Sequence, residues 1–289
     1  MNSRPNPHLE TRIARVCEYI EQNLDAKLSL DTLSAVAALS KCHFQRVFSA
    51  WTGVSATRFA QLARLRRASF RVAFEDGLRM IDIALEAGFD SPEAFSRAFR
   101  NAFGQSPSGF RAAPAWPQWH ARFDFKRPSK RETTMNVKIV NFEDTPIALV
   151  EHRGDPKRVL ETAAKFIAWR KATGRSPVKT SMTFGIPHSD PKTTEPDDFR
   201  FDIAGSIEGD VPANDYGVKS GLIPGGRCAV VRHTGSHDRI DESIYPLYRD
   251  WLPQSGETLR DFPCFFHYLN LIHEVDECEL LTDIYLPVE

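Results

Sequence analysis

The chain lacks the short motifs by which many enzymes can be recognised. There is no GxGxxG turn for a dinucleotide, no Walker lysine loop for a nucleoside triphosphate and no GxSxG elbow for a nucleophilic serine. CxxC and HExxH are missing too. His152, His233, His237, His267 and His273, with Cys228, Cys264 and Cys278, therefore show no compact metal-ligand spacing, and neither metal nor other cofactor is expected. The five cysteines (Cys17, Cys42 and those three) are odd in number and scattered, which favours the reduced thiols of a cytoplasmic protein over a disulfide framework. No apolar run is long enough to span a bilayer, and MNSRPNPHLE has no signal-peptide core, so no membrane partner is expected.

What is present is a globular composition, 42% hydrophobic and 26% charged, in 289 residues, room for two ordinary domains. The net charge of −1 conceals an asymmetry. Residues 1–130 hold 19 Lys and Arg against 12 Asp and Glu, and the remainder 18 against 26. A basic first part beside an acidic second part suggests that only the first meets a polyanion.

The first part contains a repeat. LSKCHFQRVFSAWTGVSATRF (39–59) and AGFDSPEAFSRAFRNAFGQSPSGFR (87–111) align at an offset of 51. Asp31 meets Asp82, Ser40 meets Ser91, Phe44 meets Phe95, Arg46 meets Arg97 and Phe48 meets Phe99. Gly53 meets Gly104, Ser55 meets Ser106 and Phe59 meets Phe110, all without a gap. Each copy reads as a short helix, a tight turn and a second helix. Ser40 and Ser91 are placed to cap the second helix, Pro92 to open one copy of it, and Gly53 and Gly104 to close both. That is a helix-turn-helix unit.

Both second helices bury Phe at two matching positions and expose an Arg two residues after the first. In a major groove one helix would present Cys42, Gln45, Arg46 and Ser49, and the other Glu93, Ser96, Arg97 and Arg100. Arg suits guanine and Gln suits adenine in bidentate pairs. Lys41, the cap residues Ser40 and Ser91 and the free amides at the helix starts suit phosphate. A helix over 56–76, stopped by Gly77, would span roughly 30 Å. Successive major-groove faces lie about 34–36 Å apart, so one chain could read both without dimerising. An amphipathic helix over 9–24 is expected to pack on the first unit.

Residues 9–111 resemble the DNA-binding domain of the AraC/XylS family of bacterial transcription regulators, on LSKCHFQRVF…TGVS and AGFDSPEAFSRAFRNAFGQSPSGFR. The resemblance implies that Gln45, Arg46 and Arg97 contact bases of double-stranded DNA, with Cys42 and Glu93 at neighbouring reading positions.

Residues 112–134, with three prolines and a basic cluster, read as a linker, and Trp116, Trp119, Phe123 and Phe125 are expected to dock against a domain rather than stack on bases. From 135 to 289 the pattern becomes strand, helix over 156–172, strand, strand. At an offset of 81 this half meets the next: Ala148, Val150, His152 and Gly154 meet Ala229, Val231, His233 and Gly235. Arg158 likewise meets Arg239, Asp202 meets Asp283, and Ile203 meets Ile284. The expectation is a multidomain chain, with an all-α tandem helix-turn-helix over 1–111 and an α+β domain of two β-α-β-β repeats over 135–289. Both helices would cover one sheet face. Alternation in ELLTDIYLPV sends Leu280, Ile284, Leu286 and Val288 to that face, and Glu279, Leu281, Asp283 and Tyr285 to a free groove. Phe266 and Tyr268 are assigned to the groove, and Phe184 and Asp202 complete the candidate effector contacts.

Residues 135–289 resemble the GyrI-like effector-binding domain, on IPGGRCAVVRHTG, YPLYRDWLPQSG, FPCFFHYLN and ELLTDIYLPVE. The resemblance implies a pocket for amphipathic or cationic compounds. Many relatives carry glutamate after PCF where this chain has Phe266, which shifts the expectation toward a neutral aromatic or lipophilic effector unless Asp202 or Asp283 substitutes. Two alternatives stay open. The second domain could process its ligand as some GyrI-like hydrolases do, or bind a protein such as RNA polymerase or gyrase.

Overall fold

The computed structural model describes residues 7–123 and 135–289 and divides into two compact units. The first comprises residues 1–133 with the short segment 272–278, and the second the rest of the chain. Phe125 and residues 124–134 of the stretch read as a linker lie outside the described residues.

Among the described residues, eight helices build the first unit. They are α1 (Pro7–Gln22), α2 (Leu30–Val36), α3 (Lys41–Thr52), α4 (Ala56–Phe74), α5 (Met80–Glu86), α6 (Pro92–Phe103), α7 (Pro107–Ala112) and α8 (Trp116–His120). Five of these helix starts are fixed by a serine side chain, while α5 begins at Arg79 without one. Ser29, Ser40, Ser55, Ser91 and Ser106 each accept a hydrogen bond from an amide three residues on, satisfying a donor that the helix leaves orphaned. α3 and α6 both end on a left-handed glycine, Gly53 and Gly104.

The two copies are not gapless. α2 and α5 correspond at an offset of 50, from N-cap Ser29 and Arg79 to C-cap Ala37 and Ala87. The offset becomes 51 only at the caps of α3 and α6. The second turn holds one extra residue, Phe89-Asp90 standing where the first has Leu39 alone. Asp31 and Asp82 therefore occupy different positions, and their identity is a coincidence of the alignment. The seven identities from Ser40 onward hold.

The buried stripe of each second helix is aromatic. Phe44 and Phe48 lie 5.5 Å apart and Phe48 meets Phe59 edge-on at 5.8 Å. Phe95, Phe99, Phe103 and Phe110 form the corresponding cluster at 4.7–6.1 Å. Trp116 and Trp119 are fully buried against it and Phe123 touches Phe103, so these three aromatics serve the core, as anticipated.

The second unit is one eight-stranded antiparallel sheet. Its strands are β1 (Lys138–Phe142), β2 (Thr145–Arg153), β3 (Thr183–Pro187), β4 (Arg200–Ser206), β5 (Lys219–Ile223), β6 (Gly226–Thr234), β7 (Phe265–Tyr268) and β8 (Leu281–Pro287), in the order β1-β6-β8-β7-β3-β4-β2-β5. α9 (Val159–Thr173) belongs to the first half. In the second, α10 (Asp241–Pro246) runs through a π-helical stretch, Leu247–Trp251, into α11 (Leu252–Ser255).

The offset of 81 is written into the ladders. Glu151 pairs with Asp202 and Arg232 with Asp283, while Ile186 pairs with Asp202 and His267 with Asp283. Each β-α-β-β repeat has a further strand ahead of it, since Glu143-Asp144 turn the chain between β1 and β2. These added strands are exchanged, β1 pairing with β6 of the other half and β5 with β2. At the centre Gly185 faces Phe266 across β3 and β7. A side chain at Gly185 would collide with the Tyr268 hydroxyl, at 2.3 Å, and the Phe201 ring, at 2.6 Å.

Candidate functional site

In the first unit the geometry separates two kinds of arginine. Arg46, Arg97 and Arg100 are exposed on α3 and α6, and among the described residues their side chains have no hydrogen bond or ion pair within the chain. Gln45 and Cys42 share that open face of α3, as does Glu93 on α6, while Ser49 and Ser96 are half-buried beside them. His43 is also exposed at the start of α3. Its counterpart in the repeat is Ala94, which is why matching positions did not single it out. Of the other described arginines in this unit, Arg15 on α1 is likewise exposed without a partner, and the rest are engaged within the chain. Arg111 donates to the carbonyls of Val72 and Leu78, and Arg122 to that of Ala102. Arg66 is buried, in a bidentate pair with Glu277 of the 272–278 segment and above the rings of Trp119 and Phe123. Part of the positive charge counted in the sequence is thus consumed inside the unit.

Ser40 and Ser91 spend a lone pair on their own helices, accepting from His43 N at 3.4 Å and Ala94 N at 3.2 Å. Lys41 pairs with Asp31 at the surface, where both stay largely exposed. Such a pair holds weakly and leaves the ammonium available to another anion.

In the second unit the six candidate effector contacts fall on opposite sheet faces. Phe184 and Tyr285 lie on a face to which every strand contributes, with Ile147, Leu149, Ala204, Ile223, Cys228 and Phe265. Asp202 and Asp283 share the alternation of these side chains, two residues from Ala204 and Tyr285. Phe266 and Tyr268 belong to the other face, packed with Leu247 and Ile284 beneath α10 and α11. Their assignment to the groove is corrected here: Phe265 and His267 take it, because β7 pairs one residue out of the alternation first assumed. Phe265 stacks on Tyr285 at 4.9 Å and Phe142 closes on both, so aromatic side chains fill the middle of this face.

The polar ends of the face are related by the repeat and differ in chemistry. Asp283 is bidentate with Arg232, both distances 2.7 Å. Asp202 accepts from His188 Nε2 at 2.7 Å and Arg200 at 3.3 Å through Oδ2, while its Oδ1 is buried with no hydrogen-bond partner. Glu151 stands beside it, bonded to Arg200 at 3.1 Å and Lys219 at 2.7 Å. Burial works to raise the Asp202 carboxyl, but the His188 bond and the charges of His188 and Arg200 outweigh it and hold the group below the usual carboxylate range. The Lys219 bond holds Glu151 down likewise. At the other end, burial with help from Arg232 keeps His267 below the ordinary histidine value, against the pull of Asp283. Among the described residues, no group of three or more His, Cys, Asp or Glu gathers to hold a metal ion, and no helix is long and apolar enough to cross a membrane.

Comparison with known proteins bears on both units. Residues 135–289 match the model of the GyrI-like small molecule binding domain. The chain belongs to this family. Residues 33–113 match a helix-turn-helix domain. Over 155 residues, 54% of this chain and 97% of the relative, it is 48% identical to the probable transcriptional regulator YgiV of Escherichia coli K12. Over 256 residues, 84% of each, it is 28% identical to the right origin-binding protein of the same strain. A cryo-EM structure of an EcmrR–DNA complex covers 90% of this chain and 98% of its own at 12% identity, with a TM-score of 0.46. The GyrI-like chain is a DNA-binding transcriptional regulator of the AraC type, with a C-terminal small-molecule binding domain.

Proposed function

We propose that this regulator reads an asymmetric duplex site with α3 and α6 in successive major grooves, through Gln45, Arg46, Arg97 and Arg100, and with Cys42, Ser49, Glu93 and Ser96 at the margins. Ser40, Lys41, Ser91 and the helix N-termini face phosphate. The observation that carries the reading is that Arg46, Arg97 and Arg100 stand exposed on the two second helices without an internal partner, while Arg64, Arg66, Arg67, Arg111 and Arg122 are engaged. A bidentate Arg–guanine pair is worth ~1–3 kcal/mol of discrimination. Arg46→Ala and Arg97→Ala should each lose about that much in competition between selected and scrambled duplexes. Unchanged discrimination in either variant refutes the role of that residue.

For the effector, the free oxygen of Asp202 favours one ligand class. A buried carboxylate oxygen with no donor is costly, and an N–H or O–H group on an aromatic ligand would satisfy it. The reading is therefore an aromatic effector with a hydrogen-bond donor, held at the Asp202 end of the face, with Phe184 on the neighbouring strand and Tyr285 farther across the same face. Thermal-shift screening of the full chain with aromatic amines, phenols and matched hydrocarbons should yield hits among the donors. Asp202→Asn should abolish those shifts, and hits that survive the substitution place the site elsewhere.

A further inference from the structure

We propose that Arg64, Arg67 and Arg71, on one stripe of α4, form a clamp that fixes the two helix-turn-helix units relative to each other. They would thereby determine the half-site spacing the regulator accepts, without touching DNA. The proposal rests on the reading of α3 and α6 as base-reading helices.

Positions i, i+3 and i+7 share one face of a helix, and along this face the partners pass from the first helix-turn-helix to the second. Arg64 donates through Nε to the Leu24 carbonyl at 2.6 Å and through Nη2 to that of Ala26 at 2.9 Å, beyond the end of α1. Its guanidinium also lies against the turn between α5 and α6, where a Cβ on Gly88 would stand 3.7 Å from Nη1. Arg67 holds both units with one guanidinium. Its Nη2 meets the Asp25 carboxylate and, at 2.9 Å, the Glu86 carbonyl at the end of α5. Its Nη1 meets Asp276 at 3.0 Å. Arg71 completes the series by pairing with the Glu86 carboxylate.

A rigid planar fork suits this task better than a lysine would, because several donors leave it in fixed directions. The lever makes small rotations matter. With the reading helices joined by a rod of about 28 Å, a tilt of roughly 7° displaces the far helix by about 3.4 Å, one base step. Loosening the clamp should leave each helix able to read its half-site while relaxing the distance between them. Loss of a base-contacting arginine does the reverse.

Full-length wild type and the Arg67→Ala/Arg71→Ala variant are each used to select from a library of 40 random base pairs, and the enriched duplexes are sequenced. The wild type should enrich two half-motifs at a single spacing. The variant should enrich the same half-motifs at three or more spacings, with about tenfold less preference for the original. Retention of the single spacing overturns the proposal. Should the double variant fail to fold, Asp25→Asn and Glu86→Gln each remove one partner; both should broaden the spacing, and an unchanged single spacing in both is equally decisive against it. A wild type that enriches only one half-motif defeats the two-helix reading and the clamp with it. Two motifs with an unaltered variant defeat the clamp alone.

Discussion

Ala38 adopts φ +51° in the turn of the first helix-turn-helix, at the position Gly88 holds with φ +77° in the second helix-turn-helix. An L-residue with a Cβ pays about 1–2 kcal/mol there, and glycine pays instead in the entropy of the unfolded chain. The first turn has therefore kept a residue that its backbone disfavours. Ala38→Gly should stabilise the protein by up to about 1 kcal/mol. Gly88→Ala should destabilise it by about the same amount, because the added methyl meets Arg64 only at ordinary contact distance. Urea midpoints measure both, and a lower midpoint for Ala38→Gly would contradict the account. Nothing in the sequence marked Ala38 as left-handed. The strain is a property of the turn, and it becomes visible only beside its repeat mate.

At the level of elements, what could be read early was whatever chemistry acts locally. Serine caps, closing glycines and phenylalanines four apart specify α3 and α6 from within their own residues, and both helices stand where they were expected. Missed features depend on partners far away in sequence. β1 was merged with β2 because its hydrogen bonds go to β6, 84 or more residues downstream. Phe266 was placed on the wrong face because the register of β7 is set by its pairing with β8, which puts Phe266 opposite Ile284 and Phe265 opposite Tyr285. The π-helical stretch Leu247–Trp251 absorbs one extra residue, so that α9 ends at Gly174 but α11 at Gly256, an offset of 82, before the strands return to 81. Charge was read as surface, yet Arg64, Arg67, Arg111 and Arg122 are donors to helix-terminal or turn carbonyls. Basicity counted along a chain overstates what a polyanion would meet.

Within the second unit as a whole, two related halves have diverged at their polar ends while keeping every ladder in register. One end satisfies its aspartate with a single arginine, and the other builds a five-residue network and still leaves an oxygen free. Divergence of this kind lets a symmetric frame hold an asymmetric guest. The exchanged outer strands carry a further implication. A polypeptide covering only residues 135–210 would possess β1 without β6 and β2 without β5, and its β3 would lack β7. Two such fragments can supply one another, with the junction at Gly185 lying on a true rather than an approximate dyad. Sedimentation of that fragment should find a homodimer, and a well-folded monomer would contradict the expectation. The modern domain then reads as an obligate pair whose members were fused into one gene, after which each was free to mutate alone.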